Sequence, residues 1–145
     1  MSVDFRESVT KENLMRAFAG ESQARNRYTF AAAQAKKEHL HVVEAVFNYT
    51  ADQERQHAYI FYQHLKEMAG ETIQIDGGYP VDISPDMDKL LRMAQHNEYE
   101  EADDVYQSFG DVAKEEGFME VASAFIRLRN REEFMETDSE NWRNC

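Results

Sequence analysis

The sequence predicts an all-α fold: a bundle of four long helices, built as two antiparallel hairpins joined by one long connection. Three observations predict it. Apolar residues recur at spacings of three and four over long stretches, the period of a helix with one buried face. The 145 residues hold only two prolines and six glycines, so little interrupts a helix. The second half also repeats the first at an offset of 78 residues, as two similar hairpins would.

The first helix is expected near 10–36. Thr10 serves as its N-cap, Glu12 sits in its first turn, and Leu14, Phe18, Glu21, Ala24, Tyr28, Ala31 and Ala35 form its stripe. A break near Lys37-Glu38-His39 leads to a second helix near 39–68, with the stripe Val43, Val46, Phe47, Thr50, Glu54, His57, Phe61 and Leu65. From Gly70 to Pro85 the pattern stops, and Gly77-Gly78 with both prolines marks a long connection. Ser84-Pro85-Asp86 restarts it, with a capping hydroxyl, a proline at the first helical position and an acid at the positive end of the dipole. A third helix is expected near 85–115. After a break at Glu116-Gly117 a fourth is expected near 118–130, carried by Phe118, Val121, Ala122 and Phe125. The repeat aligns Tyr28 with Tyr106, Lys36 with Lys114, Glu38 with Glu116, Val43 with Val121, Phe47 with Phe125 and Glu54 with Glu132.

At this length the chain is a single domain over 1–145 with one sizeable core, and 130–145 forms an atypical tail. A net charge of −12 argues against nucleic acid or an anionic membrane as partner. The single cysteine, Cys145, excludes an internal disulfide framework or a thiolate metal knot. No secretory or membrane-length apolar run appears, so a cytoplasmic location is expected.

Both predicted stripes of the first hairpin carry acid where apolar residues belong. Glu54 and His57 are three apart, so one helix face presents a carboxylate and an imidazole together. Glu21 lies in the stripe of the preceding helix. Glu from one helix and Glu-x-x-His from the next make half of a carboxylate-bridged two-metal site in a four-helix bundle. On the third helix Glu98 and Glu101 share a face within an acidic run whose like charges repel. Glu132 completes the set through the repeat, but the counterpart of His57 is Met135. Such ligands suit iron or manganese. Each residue also has a plain reading: a solvated glutamate, a satisfied interfacial histidine, a wet acidic face, or tyrosines that merely pack. Together they are harder to dismiss, because burying several unpaired carboxylates costs several kcal/mol each.

The stretches ENL-MRAFAGESQARNRY, TADQERQHA, NEYEEADDVYQSF and AKEEGFMEVASAF resemble the rubrerythrins, over about residues 10 to 125. The resemblance implies a ferritin-like bundle that binds two iron ions, with manganese or zinc as substitutes. It implies reduction of hydrogen peroxide to water. It carries the ligand role to Glu21, Glu54, His57, Glu98, Glu101 and Glu132, and places Tyr28 and Tyr106 beside the site. It also implies a homodimer, in which the long connection permits helix exchange.

Two departures stand out. Rubrerythrins typically carry a rubredoxin-type module that feeds electrons to the centre, and this sequence shows none. An external donor such as a rubredoxin is therefore expected. The family's last helix also continues differently from RLRNREEFMETDSENWRNC. Back-translated and read in another frame, the stretch from Phe134 yields VHGDRFGKLAEL, which looks like that helix end. This points to a frameshift just after Phe125, in the gene, the clone or the recorded sequence; the alternative is a natural divergent terminus. The function expected is that of a non-haem di-iron peroxidase. The rival expectations are a ferritin-like protein that oxidises and sequesters iron, and a metal-depleted helical interaction module.

Overall fold

The computed structural model describes residues 3–142, with the side chains of 102–103 and 131–142 left out. It is helical, with no strand among the described residues. The elements are α1 (Val9–Lys37), α2 (His41–Gln63), α3 (Met87–Glu100), α4 (Gln107–Glu115) and α5 (Met119–Trp142). A π-helical turn, Glu101–Tyr106, joins α3 to α4, so the two form one interrupted rod. The result is the expected four-helix bundle: α1 rises, α2 returns, the connection climbs along α1, α3 and α4 descend, and α5 rises.

The helix starts differ from expectation by about two residues. Ser8, not Thr10, caps α1, its hydroxyl accepting from the Lys11 amide. Thr10 is buried, and its amide and hydroxyl both donate to Glu116. The Val9 amide donates to the same carboxylate, so α4's end supplies acceptors for α1's first orphan amides. Asp86, not Ser84, caps α3, because its carboxylate reaches the Asp88 amide while Ser84 closes a turn onto Asp86. The last helix is longer than expected, running on to Trp142. No glycine or proline lies between Arg129 and Trp142 to stop it. Its buried stripe of Val121, Ala124 and Phe125 extends to Leu128.

The two tight turns repeat one another bond for bond. His39 (φ 60°) and Gly117 (φ 91°) occupy the left-handed region at equivalent places. Leu40 N donates to Ala35 O at 2.9 Å, and Phe118 N to Ala113 O at 2.8 Å. His39 N donates to Lys36 O and Gly117 N to Lys114 O, both at 3.1 Å. This is the paired closure of a helix end by a left-handed residue. The 78-residue repeat is therefore a repeat of structure as well as of sequence.

Two apolar clusters fill the bundle. One gathers Leu14, Phe61, Leu65, Tyr106, Phe125 and Leu128 near the start of α1. Phe61 packs at a tilt with its ring centroid 5.1 Å from that of Phe125, and both touch the Tyr106 ring. The other gathers Ala24, Tyr28, Ala31, Phe47, Met87 and Leu90 near its end. Burial of each large side chain is worth roughly 1.5–3 kcal/mol. Between the clusters the stripes switch to acid and imidazole: Glu21, Glu54, His57 and Glu98 are all buried there.

The connection lies along the bundle as a strap without regular structure. It is held at intervals. Arg16 Nη2 meets Asp76 at 2.7 Å, and Arg27 Nη1 meets Asp82 at 2.9 Å. Asn97 donates to the same Asp82 oxygen at 2.6 Å, and Gln34 to Ser84 O at 3.0 Å. The strap thereby crosses the whole bundle and starts α3 beside the end of α1. No described helix is long and apolar enough to cross a membrane.

Candidate metal centre

Glu21 on α1 and Glu54 and His57 on α2 meet in the polar layer. Glu21 and Glu54 are fully buried and His57 is 1 % exposed. Each offers a ligand atom, and these atoms lie within 4.8 Å of one another. His57 Nδ1 stands 3.6 Å from Glu21 Oε2. Neither oxygen of Glu54 has a hydrogen-bond donor among the described residues, and the same holds for Glu98 Oε2. A buried carboxylate with nothing to bind costs several kcal/mol. Folding would select against this layer unless a cation completed it. The donor set of carboxylates and imidazole fits iron or manganese.

The other two sequence candidates flank this trio. Glu98 is buried, and Tyr28 donates to its Oε1 at 2.6 Å. Tyr106 donates to Glu101 Oε1 at 2.8 Å and also to Glu21 Oε1. The pattern is two-fold: a tyrosine of each hairpin donates to a glutamate of the other. The trio shares its buried space with Glu101, whose carboxyl responds to the charges of both Glu21 and His57.

Sequence periodicity does not anticipate the π-turn, which explains a mismatch in the repeat. Glu21 and Glu98 are 77 residues apart, whereas Tyr28 and Tyr106 are 78 apart. One extra residue thus sits between Glu98 and Tyr106. A π-turn is the way a helix absorbs one extra residue without displacing the turns on either side. It also brings residues five apart to one side, which is why Tyr106 reaches Glu101. The change of offset is the sequence signal for it.

Electrostatics in the layer follow from burial. Glu101 is raised to about 8, first by desolvation and then by the charge of Glu21, against the Tyr106 hydrogen bond, Arg27 and His57. The residue as a whole is only half-buried, but its carboxyl lies in a desolvating environment, and the carboxyl is what titrates. Burial, with Glu101 and Glu21 alongside, pushes the Tyr106 phenol well above its ordinary value. Tyr106 therefore stays protonated, and its single hydroxyl proton is shared between the carboxyl groups of Glu21 and Glu101. Glu132, Met135 and the tail beyond lie outside the described side chains.

The sequence matches the rubrerythrin family profile over residues 12–134. The chain belongs to the rubrerythrin family. It is 44 % identical to a rubrerythrin of Clostridium perfringens over 124 residues, covering 85 % of this chain and 64 % of that protein. It is 48 % identical to rubrerythrin-1 of Clostridium acetobutylicum over 118 residues, 80 % of this chain and 60 % of the relative. Against a rubrerythrin of Porphyromonas gingivalis it is 41 % identical over 128 residues, 88 % and 62 % of the two chains. The chain thus spans less than two thirds of the length of these relatives. The buried trio that could hold a metal ion lies at the contact between the first two helices of this rubrerythrin-family chain.

Proposed function

We propose that this chain is a non-haem di-iron peroxidase of rubrerythrin type, reducing hydrogen peroxide to water with electrons from an external donor such as a rubredoxin. The observation that carries this reading is the buried Glu21, Glu54 and His57 trio, which lacks a neutralising partner for Glu54 in a chain of the rubrerythrin family. Glu21, Glu54, His57, Glu98 and Glu101 would hold the metal, with Glu132 joining from α5. When bound, two iron ions supply Lewis acidity and the two electrons that a peroxide bond takes up on cleavage.

The chain's own residues do the rest. Tyr28 fixes the rotamer of Glu98, and Tyr106 fixes those of Glu21 and Glu101. The apolar clusters on either side keep bulk water from the layer. Two protons and two electrons convert one peroxide to two waters, so the donor must return two electrons per turnover. The reading includes a cytoplasmic homodimer. Phe30, Val42, Tyr49, Tyr59 and Tyr62 are exposed along the α1–α2 hairpin, more apolar surface than a lone helix pair normally leaves to water.

The test is anaerobic loading of the full chain with iron(II) and then addition of peroxide. Oxidation of about two irons per peroxide supports the reading. Uptake of many irons per chain would point to iron sequestration instead, and no metal uptake would reject both.

A further inference from the structure

One cavity of about 270 Å³ opens onto the acidic layer, lined among others by Gly20, Gly77, Tyr79, Glu101 and Tyr106. Tyr106 in turn touches Glu21, so the cavity's inner wall is the outer edge of the centre. The other described cavities do not reach a carboxylate of the layer. A groove of about 970 Å³ lies outside the α1–α2 hairpin, and one of about 340 Å³ under the strap reaches Tyr28 but neither Glu21, Glu54, His57, Glu98 nor Glu101.

Two features control this cavity. Gly20 is buried inside α1, where a glycine weakens a helix. Its backbone does not call for glycine: Gly70 and Gly117 have positive φ, and Gly20 does not. A Cβ built on Gly20 would stand 3.6 Å from both Glu101 Oε1 and a Tyr79 ring carbon. What the missing side chain provides is clearance between the strap and Glu101. Tyr79 rides on the arch Gly77–Pro80, between the anchors Asp76 and Asp82. Two glycines precede it, and its phenol holds only a 3.2 Å bond to Arg16 O. The arch can lift Tyr79 without releasing either anchor.

We propose that this cavity is the port by which metal ions and a small peroxide reach the centre, with Tyr79 as its gate and Gly20 as its clearance. The proposal rests on the di-iron reading. At about 30 Å³ per water, the cavity has room for about nine water-sized molecules, ample for hydrogen peroxide. Glu100 and Glu101 line the cavity together with Arg16 and Arg27, and both arginines are already paired with Asp76 and Asp82 of the strap, which leaves the two glutamates to meet an entering cation.

The test is stopped-flow uptake of cobalt(II) by the metal-free full chain, read by absorbance, for wild type, Gly20→Leu and Tyr79→Ala. Gly20→Leu should slow uptake at least about tenfold and Tyr79→Ala should speed it at least about threefold, as expected for plugging and opening a gate. The amount bound at equilibrium should stay the same in both. If Gly20→Leu fails to fold, Tyr79→Ala decides alone. Uptake by Tyr79→Ala at the wild-type rate overturns the port while leaving the metal centre standing. No cobalt uptake by wild type overturns both.

Discussion

Glu54 sits fully buried with both oxygens undonated, a poor choice for stability and a good one for holding a cation. Glu54→Gln keeps the shape and removes the charge. The metal-free variant should gain about 1 kcal/mol or more, seen as a rise of a few degrees in Tm, while losing metal uptake. A metal-free Tm at or below the wild-type value would contradict the idea that the carboxylate is kept for binding. Glu101 yields a pH prediction for the metal-free chain. Its folded value of about 8 lies above its ordinary 4.5, so the folded state holds the extra proton between them. Its contribution to stability is present below about 4.5 and is lost as pH rises towards 8. Melting curves from pH 5 to 8 should therefore fall less steeply for Glu101→Gln than for wild type. Equal slopes would count against the raised value.

At the scale of the element, the stripes are legible in the sequence and the interruption is not. Every position of the first stripe is buried except Phe18, which is left partly exposed; Glu54 and His57 lie where three-residue spacing puts them. Helix starts are harder to read, because capping depends on which side chain reaches an amide, and Glu116 reaches Thr10 from 106 residues away. The π-turn escapes a reading that holds one helical period throughout, although the offset slips from 77 to 78 across it. Deleting Asp104, whose side chain is exposed, should turn the π-turn into ordinary helix and leave both flanks in place. Helicity and Tm should hold, while Glu101 and Tyr106 become four residues apart and the extra turn residue that sets their hydrogen-bond geometry is gone. Metal affinity should then fall about tenfold or more, as when a group supporting a ligand is removed. A deletion variant that binds metal as wild type does would show that the turn is incidental.

At the scale of the whole molecule, the repeat organises the site. Each hairpin lends a tyrosine to the other's glutamate, so these supporting bonds around the buried trio form only when the two are docked. The two-hairpin plan is legible because both tight turns repeat their sequence signals; the path of the strap is not, because its anchors are long-range pairs such as Arg27 with Asp82. The link from Glu101 through Tyr106 to Glu21 likewise depends on docking that no local pattern encodes. The measurement that bears most directly on the centre is anaerobic iron(II) titration of the full chain beside its Glu54→Ala/His57→Ala variant, with circular dichroism to verify that both fold. Wild type should bind about two irons per chain tightly, and the variant should bind none above background. Wild-type stoichiometry retained in the folded variant would place the metal elsewhere and contradict the account.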